Sequence, residues 1–424
     1  MIDLIIRNAK VHEKDTTTDI AIDKGIIIEI GSNIEYLAEK EMDVCNRLVI
    51  PAFVESHLHL DIALSNDAHK PGRDKPFIYP SELNQRVLEM RKSFTQQDIV
   101  SRASKAVELA IRHGITAIRA QCHVDNEIGL KHVYALEKVR SLYNHCIDIQ
   151  IVAFPERGLL SEPGTLELFK KAFENGANIM GCAPDLESID GISFRDHIDA
   201  ALELAIEMKV DLDMHLDLGL PPLEKNAPIT LDDLEVVYAA RRIIEREYQG
   251  IASAGHLCTL SATFPDVAKQ AIDIIKKANI NVISQPDMYR LGRADLWNIR
   301  RGLTRVKELL DAGVNVAFAS NNVRDPYRPM GNLNLLEEGL VLAYGAHMDT
   351  NEDLNNIIKM CTYNAAKILN LEKYGLKQGC KADLVILDAS SPAEAIINQC
   401  EKSYVLKNGK IVAENYKESA MYCV

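Results

Sequence analysis

The 424 residues predict an α/β fold, a (β/α)8 barrel with a small β-domain made from both chain ends, and three observations carry that prediction. Eight short apolar runs recur between residues 48 and 320. Most are separated by a segment of helical periodicity, and β-rich stretches bracket the series at both ends. An open doubly wound sheet is the structural alternative; the absence of a G-x-G-x-x-G after the first run weakens it.

The elements follow in order. "LIIRNAKV", "DIAID" and "GIIIEIG" read as small strands, with Lys24-Gly25 at a tight turn. The eight runs are then "LVIPAFV" from 48, "ITAIRAQ" from 115, "DIQIVAF" from 148, "ANIMGCA" from 177, "VDLDMHL" from 210, "GIASAGH" from 250, "INVISQP" from 280 and "VNVAFAS" from 314. Between them, stretches such as "QQDIVSRASKAVELAIRHG" and "SFRDHIDAALELAIEMKV" repeat apolar residues at three- and four-residue steps, which predicts amphipathic helices. Residues 61 to 95, with "SNDAHKPGRDKPFIYPSEL", are polar and carry prolines; they read as a long loop at the barrel mouth. "KADLVILD" and "SYVLKNGKIV" close the chain as strands, the second a hairpin whose Asn408-Gly409 fits a type I′ turn. The expected division is a terminal β-domain, 1–50 with 375–424, around a barrel domain, 51–374.

A net charge of −13 argues against a generic nucleic-acid or anionic-membrane surface, so a small molecule is the expected partner, alone or with a homo-oligomer. Nine cysteines lie without a CxxC spacing, "MIDLIIRNAK" shows no secretory pattern, and no apolar stretch nears the roughly 18 residues that span a bilayer. Reduced thiols and a cytoplasmic location are expected.

In a barrel of this kind the active site lies at the C-terminal strand ends. Run one ends in His57 and His59 of "ESHLHL"; alternate residues of a strand share a face, so both rings can converge on one point. Two such histidines alone are more often structural than metal-binding. Run five, however, ends in His215, run six in His256, and run eight in Ser320 and Asn321. Four imidazoles at one mouth point to a single divalent metal ion, zinc or iron with manganese as a third option, since all accept imidazole nitrogen. No lysine ends run four to bridge two metals, so the site is expected to be at most mononuclear.

The stretches "IPAFVESHLHLD", "IDIQIVAFPERGLL", "RRGLTRVKELLDAGVNVAFASNNVRDPYRPMGNLNLL" and "TYNAAKILNLEKYGLKQGCKADLVILD" resemble the amidohydrolase superfamily, and within it the cytosine deaminase-like enzymes. That resemblance implies a distorted TIM barrel with a β-sandwich from both termini. It implies His57, His59 and His215 as metal ligands and His256 as the residue that polarises or orients the attacked group.

It also exposes departures. The family's metal-binding aspartate after strand eight is Asn321 here, followed by Asn322; an amide is a neutral ligand and cannot carry a proton. The proton-shuttling glutamate after strand five is Leu218, and the glutamine that grips a pyrimidine's amide edge is Glu156. A glutamate only accepts, so the preferred ligand should offer N–H donors or positive charge, and cytosine becomes doubtful. Asp217, Asp185 and Asp61 are carboxylates near strand ends, each with a helix-cap or loop-acceptor alternative. Asp217 is the candidate base, while Glu156, Asp185 and Tyr327 are candidate substrate contacts, the tyrosine by stacking on a planar ring or by ordinary loop packing. Arg324 could pair with Asp325 or reach the mouth. His123 and Asp125 follow run two, where a supporting structural role is the preferred assignment.

The leading expectation is a metal-dependent hydrolase of C–N bonds in a small nitrogen heterocycle, with a substrate other than cytosine. The alternative is a catalytically impaired relative that binds a nitrogenous small molecule. A third option is an altered mechanism in which the substrate or Asp217 supplies the base.

Overall fold

A computed structural model describes residues 1–422 except 12–15, 67–79, 188–190, 219–227, 287–301 and 419. Five strands come first: β1 (Ile2–Val11), β2 (Thr18–Asp23), β3 (Ile26–Gly31), β4 (Ala38–Asp43) and β5 (Leu48–Pro51). Eight barrel strands follow: β6 (Phe53–Leu58), β7 (Ile115–His123), β8 (Asp148–Phe154), β9 (Ile179–Cys182), β10 (Asp211–Leu216), β11 (Ala252–His256), β12 (Asn281–Ser284) and β13 (Val316–Phe318). The chain ends with β14 (Leu384–Leu387), β15 (Lys402–Lys407) and β16 (Lys410–Glu414).

The terminal strands form one sheet in the order β16-β15-β14-β5-β1-β2-β3, with β4 also on β1. Its two halves share a core: Leu4, Ile6, Ile20 and Ile22 from one end of the chain pack with Val49, Leu384, Ile386 and Leu406. The two expected turns meet there. Lys24-Gly25 has φ of 49° and 77°, and Asn408-Gly409 has 48° and 73°, the left-handed pair that a type I′ hairpin needs. A Cβ on Gly25 would stand 2.8 Å from the Asn408 carbonyl oxygen, and one on Gly409 would stand 2.8 Å from a methyl of Ile22, so neither turn tolerates a side chain.

β6 to β13 pair in sequence order, every adjacent pair parallel. The circle closes not by a ladder but by a bridge between Leu58 and Asn321, where the His59 amide donates to the Asn321 carbonyl (2.8 Å) and the Asn321 amide to the His57 carbonyl (3.0 Å). Helices cover the outside. In Gln96–Arg112 the buried residues Ile99, Ala103, Ala106, Val107, Ala110 and Ile111 keep helical spacing, and the Thr95 hydroxyl caps the start by accepting from the Asp98 amide. Among the described residues, no helix is long and apolar enough to cross a membrane.

Two sequence expectations change. The run at 48 to 54 is two strands rather than one: Pro51 has no N–H to continue a ladder, and across Ala52 the chain leaves the terminal sheet, where β5 pairs β14, for the barrel, where β6 pairs β7. Within the expected loop from 61 to 95, Pro80–Ser93 is a helix, its proline at the first position, where a missing amide costs nothing; residues 67–79 of that loop lie outside the described residues. Lys407 of β15 joins the two sheets, its buried ammonium 2.8 Å from Asp383 and 2.7 Å from Asp148 of β8.

Candidate active site

The strand ends bring four imidazoles together. His57 Nε2 lies 3.1 Å from His215 Nε2, and His59 Nε2 lies 3.2 Å from the same atom. Two nitrogens bound to one tetrahedral ion at roughly 2.05 Å would stand roughly 3.3 Å apart, so each of the two contacts with His215 matches the spacing of a pair of ligands. The His256 ring sits 4.9 Å from that of His215 and 5.7 Å from that of His57, and ligand nitrogens of His57, His215 and His256 fall within 4.8 Å of one another. His256 completes a set with His57 and His215, while His59 reaches the cluster through His215. This is the only such group among the described residues. Burial and the neighbouring His57 push His59 down to about 3, leaving it a neutral imidazole with a free lone pair.

Behind the cluster lies a buried polar relay. Asp213 stands two residues before His215 on β10, so it points to the same barrel interior. Its Oδ1 is 3.5 Å from His57 Nδ1 and accepts from Gln121 Nε2 at 3.0 Å. Its Oδ2 accepts from Ser253 (2.9 Å) and from Arg119 (3.1 Å). Burial alone would raise this carboxyl, but the His57 hydrogen bond and the Arg119 charge hold it below the usual carboxylate range. Asp213 and the Gln121 amide both face His57 Nδ1, at 3.5 and 3.4 Å, while Nε2 is the nitrogen turned to the cluster.

The backbone bends where these side chains gather. Asp217, His256, Leu257 and Asn321 have φ of 53°, 76°, 46° and 64°, left-handed values that cost a non-glycine residue about 1 kcal/mol or more and that collect at functional sites. Asn321 is buried on the closing bridge, between the backbones of His57 and His59.

The carboxylates divide by partner. Asp217 accepts from the amides of Glu235 (2.9 Å) and Val236 (3.2 Å), capping the helix Glu235–Glu245, while Glu235 accepts the Asp217 amide at 2.6 Å. Burial raises both carboxyls, and Asp217 and Asp185 push Glu235 further up. The cap role is thus the one Asp217 fills in this geometry. Asp185 is half-buried in the turn after β9, and Leu218 is half-buried just beyond Asp217. Asp61 Oδ2 accepts from the His123 amide (3.0 Å) and pairs with His132 Nδ1 (2.7 Å).

Glu156 has charged and polar neighbours of its own within the protein. Arg91, from the helix that replaces the expected loop, sets Nη1 2.5 Å from Glu156 Oε2. Tyr327 donates its hydroxyl to Glu156 Oε1 at 2.6 Å, and His123 Nδ1 is 3.3 Å from Oε2. Burial would raise Glu156, but Arg91 and His123 bring it down to about 2. His123 also reaches Asp125 at 2.7 Å. Arg324 is exposed; Asp325 instead accepts from Asn322 and from the amides of Tyr327 and Arg328.

Four site residues have no counterpart in the sequence reading. Asp213 was detectable as the residue two before His215, and Gln121 and Gln285 as the polar ends of runs two and seven; Gln285 Oε1 accepts the His256 amide at 2.8 Å. Arg91 carries no strand-end signal.

Comparison with known proteins agrees with this geometry. The profile of the amidohydrolase family matches residues 112–413. The chain is 29% identical over 421 residues to N-isopropylammelide isopropyl amidohydrolase of Pseudomonas sp. (strain ADP), covering 97% of this chain and 98% of that one. It is 27% identical over 408 residues to pterin deaminase of Rhizobium rhizogenes (strain K84 / ATCC BAA-868), covering 93% and 87%. The structure of 5-methylcytosine deaminase from Klebsiella pneumoniae with phosphonocytosine superposes with a TM-score of 0.86 at 28% identity, over 99% of this chain and 100% of that one.

Proposed function

Because the chain belongs to the amidohydrolase family, we propose that it is a metal-dependent hydrolase of a C–N bond on a small nitrogen heterocycle, replacing a ring amino or alkylamino group by oxygen. The observation that carries this reading is the approach of His57 Nε2 and His59 Nε2 to His215 Nε2, at 3.1 and 3.2 Å, with His256 closing a group with His57 and His215. The three relatives named above, whose names describe amine or ammonia removal from such rings, support it.

His57, His59 and His215 would hold the ion, with Asp213 beside the Nδ1 edge of His57 to support its ring. A divalent cation there, zinc or iron with manganese next, supplies Lewis acidity and makes a water acidic enough to ionise near neutral pH. His256, beside His57 and His215, hydrogen-bonds and orients the group under attack. Asn321 orients the attacking water through its amide but takes no proton from it. The balance closes without a protein base: one water adds across the bond, its oxygen going to the ring carbon and its proton to the leaving nitrogen. Glu156, Tyr327 and Asp185 flank the ring.

The test is metal analysis of the purified protein, then a screen of purines, pyrimidines, triazines, pterins and cyclic ureas for ammonia or amine release. The expected result is turnover of at least one amino-substituted ring, abolished by chelation and restored by zinc, iron or manganese. A metal-loaded protein inert on the whole panel would overturn the reading. It would favour the second one, a binder of a nitrogenous ligand, which Asn321 and Leu218 motivate by standing where an aspartate and a glutamate are expected.

A further inference from the structure

Arg91 is among the largest side chains the fold buries, with 1% of its surface exposed. Its guanidinium stands 2.5 Å from Glu156 and 3.6 Å from Asp61. Yet neither contact is a hydrogen bond along an N–H direction: among the described residues, Nε, Nη1 and Nη2 have no acceptor. A buried donor left unmet costs about 1–3 kcal/mol, more when charged, so a fold that keeps several of them has a reason to.

The surroundings indicate the reason. Glu156, which Arg91 touches, hydrogen-bonds Tyr327 and neighbours His123, and the charges of Glu156 and Arg91 both act on His59 of the imidazole cluster. Arg91 therefore lies within charge range of the imidazole cluster, with Glu156 and Asp61 balancing its charge. Carboxylates that balance a guanidinium off its N–H directions neutralise its charge while leaving those donors unspent. A planar fork with unspent donors suits an oxygen acceptor, and a ring oxo group is one that bonds in the plane of the heterocycle.

We propose that Arg91 is a specificity-determining residue that donates to a ring oxo oxygen of the substrate, with Glu156 and Asp61 as its positioning partners. The proposal rests on the heterocycle reading above and narrows it: the preferred rings carry at least one oxo group besides the amino group that leaves. Fully amino- or alkoxy-substituted rings leave the fork unmet and bind weakly.

The experiment is equilibrium binding to the purified protein of two triazines that release no ammonia or amine, cyanuric acid with its oxo groups and 2,4,6-trimethoxy-1,3,5-triazine without them. Wild type should bind cyanuric acid at least about tenfold more tightly, the scale of one or two charge-assisted hydrogen bonds. Arg91→Lys keeps the buried charge but loses the fork, and should bring that ratio to within about threefold. Arg91→Met/Glu156→Gln removes a charge of each sign together, covering the case in which a lone loss of charge prevents folding. Its glutamine supplies one donor and one acceptor, and should restore part of the preference. A ratio unchanged in a folded Arg91→Lys, or no preference in wild type, would overturn the assignment. Failure of the hydrolase reading shows separately, as absent turnover with the binding preference intact.

Discussion

At Asn321 one atom separates the observed side chain from a carboxylate. The residue lies on the closing bridge with its backbone fixed to His57 and His59, so Asn321→Asp should be accommodated without moving the site. An aspartate adds a charged ligand and a proton acceptor, and a positioned base contributes about 10²–10⁴-fold to a rate. We expect Asn321→Asp to raise kcat on any ring the wild type turns over by about tenfold or more, with substrate affinity little changed. Steady-state kinetics on the metal-loaded variant checks this. An unchanged or lower kcat would mean that the leaving amine already removes the proton fast enough. Tyr327 shows the same economy: its hydroxyl is committed to Glu156, so the ring, not the oxygen, is what it offers to a ligand.

The helix Leu335–Ala346 carries Glu338 buried in its first turn, where Arg328 meets it at 2.7 and 2.9 Å. The same arginine acts on buried Glu55, whose carboxylate accepts the amides of His57 and Ser320. One guanidinium facing two buried carboxyls cannot balance both. Burial pushes Glu338 up to about 8 and Glu55 to about 7, with Arg328 opposing it. The native state then binds a proton on Glu338 that the unfolded chain releases near pH 4.3, so this contribution is complete below that pH and is lost as pH rises through about 8. Glu338→Gln cannot ionise. Its melting temperature relative to wild type should therefore climb between pH 5 and 8.5, by on the order of 2 °C; a constant difference would show that Glu338 does not titrate in this range.

Elements such as this helix show where the sequence was readable. Strands and the gathering of His57, His59, His215 and His256 were legible because short apolar runs recur, three of them ending in imidazoles, and run and strand-end position are both visible in one dimension. The division at Pro51 was partly so: a proline inside an apolar run is a break signal, and the pull of β14 on β5 comes from more than 300 residues away. Arg91 was not legible. Its burial depends on Asp61 and Glu156, carried by other strand ends, and a basic residue on a polar helix ordinarily faces water.

Across the whole molecule the two sheets are held by Lys407, which lies between Asp383 of the terminal sheet's loop and Asp148 of the barrel. Lys407→Met would strand a buried carboxylate at Asp383; because Asp148 stays about half-exposed, we expect a loss of about 3 kcal/mol, the lower end for a broken buried pair. Denaturant unfolding measures it, and metal content should be unaffected, since the imidazole cluster lies at the other ends of the strands. A loss within about 0.5 kcal/mol would show the contact to be incidental.

The bridge between Leu58 and Asn321 has a consequence for assembly of the chain. His57 and His59 belong to the first stave of the barrel, and the last stave must swing round to meet them before the circle is complete. A cation held at their rims, as proposed, would act as a clasp on a hoop, linking its occupancy to the integrity of the hoop. During synthesis the pair waits until some 260 further residues have left the ribosome, a distance set by Leu58 and Asn321 themselves.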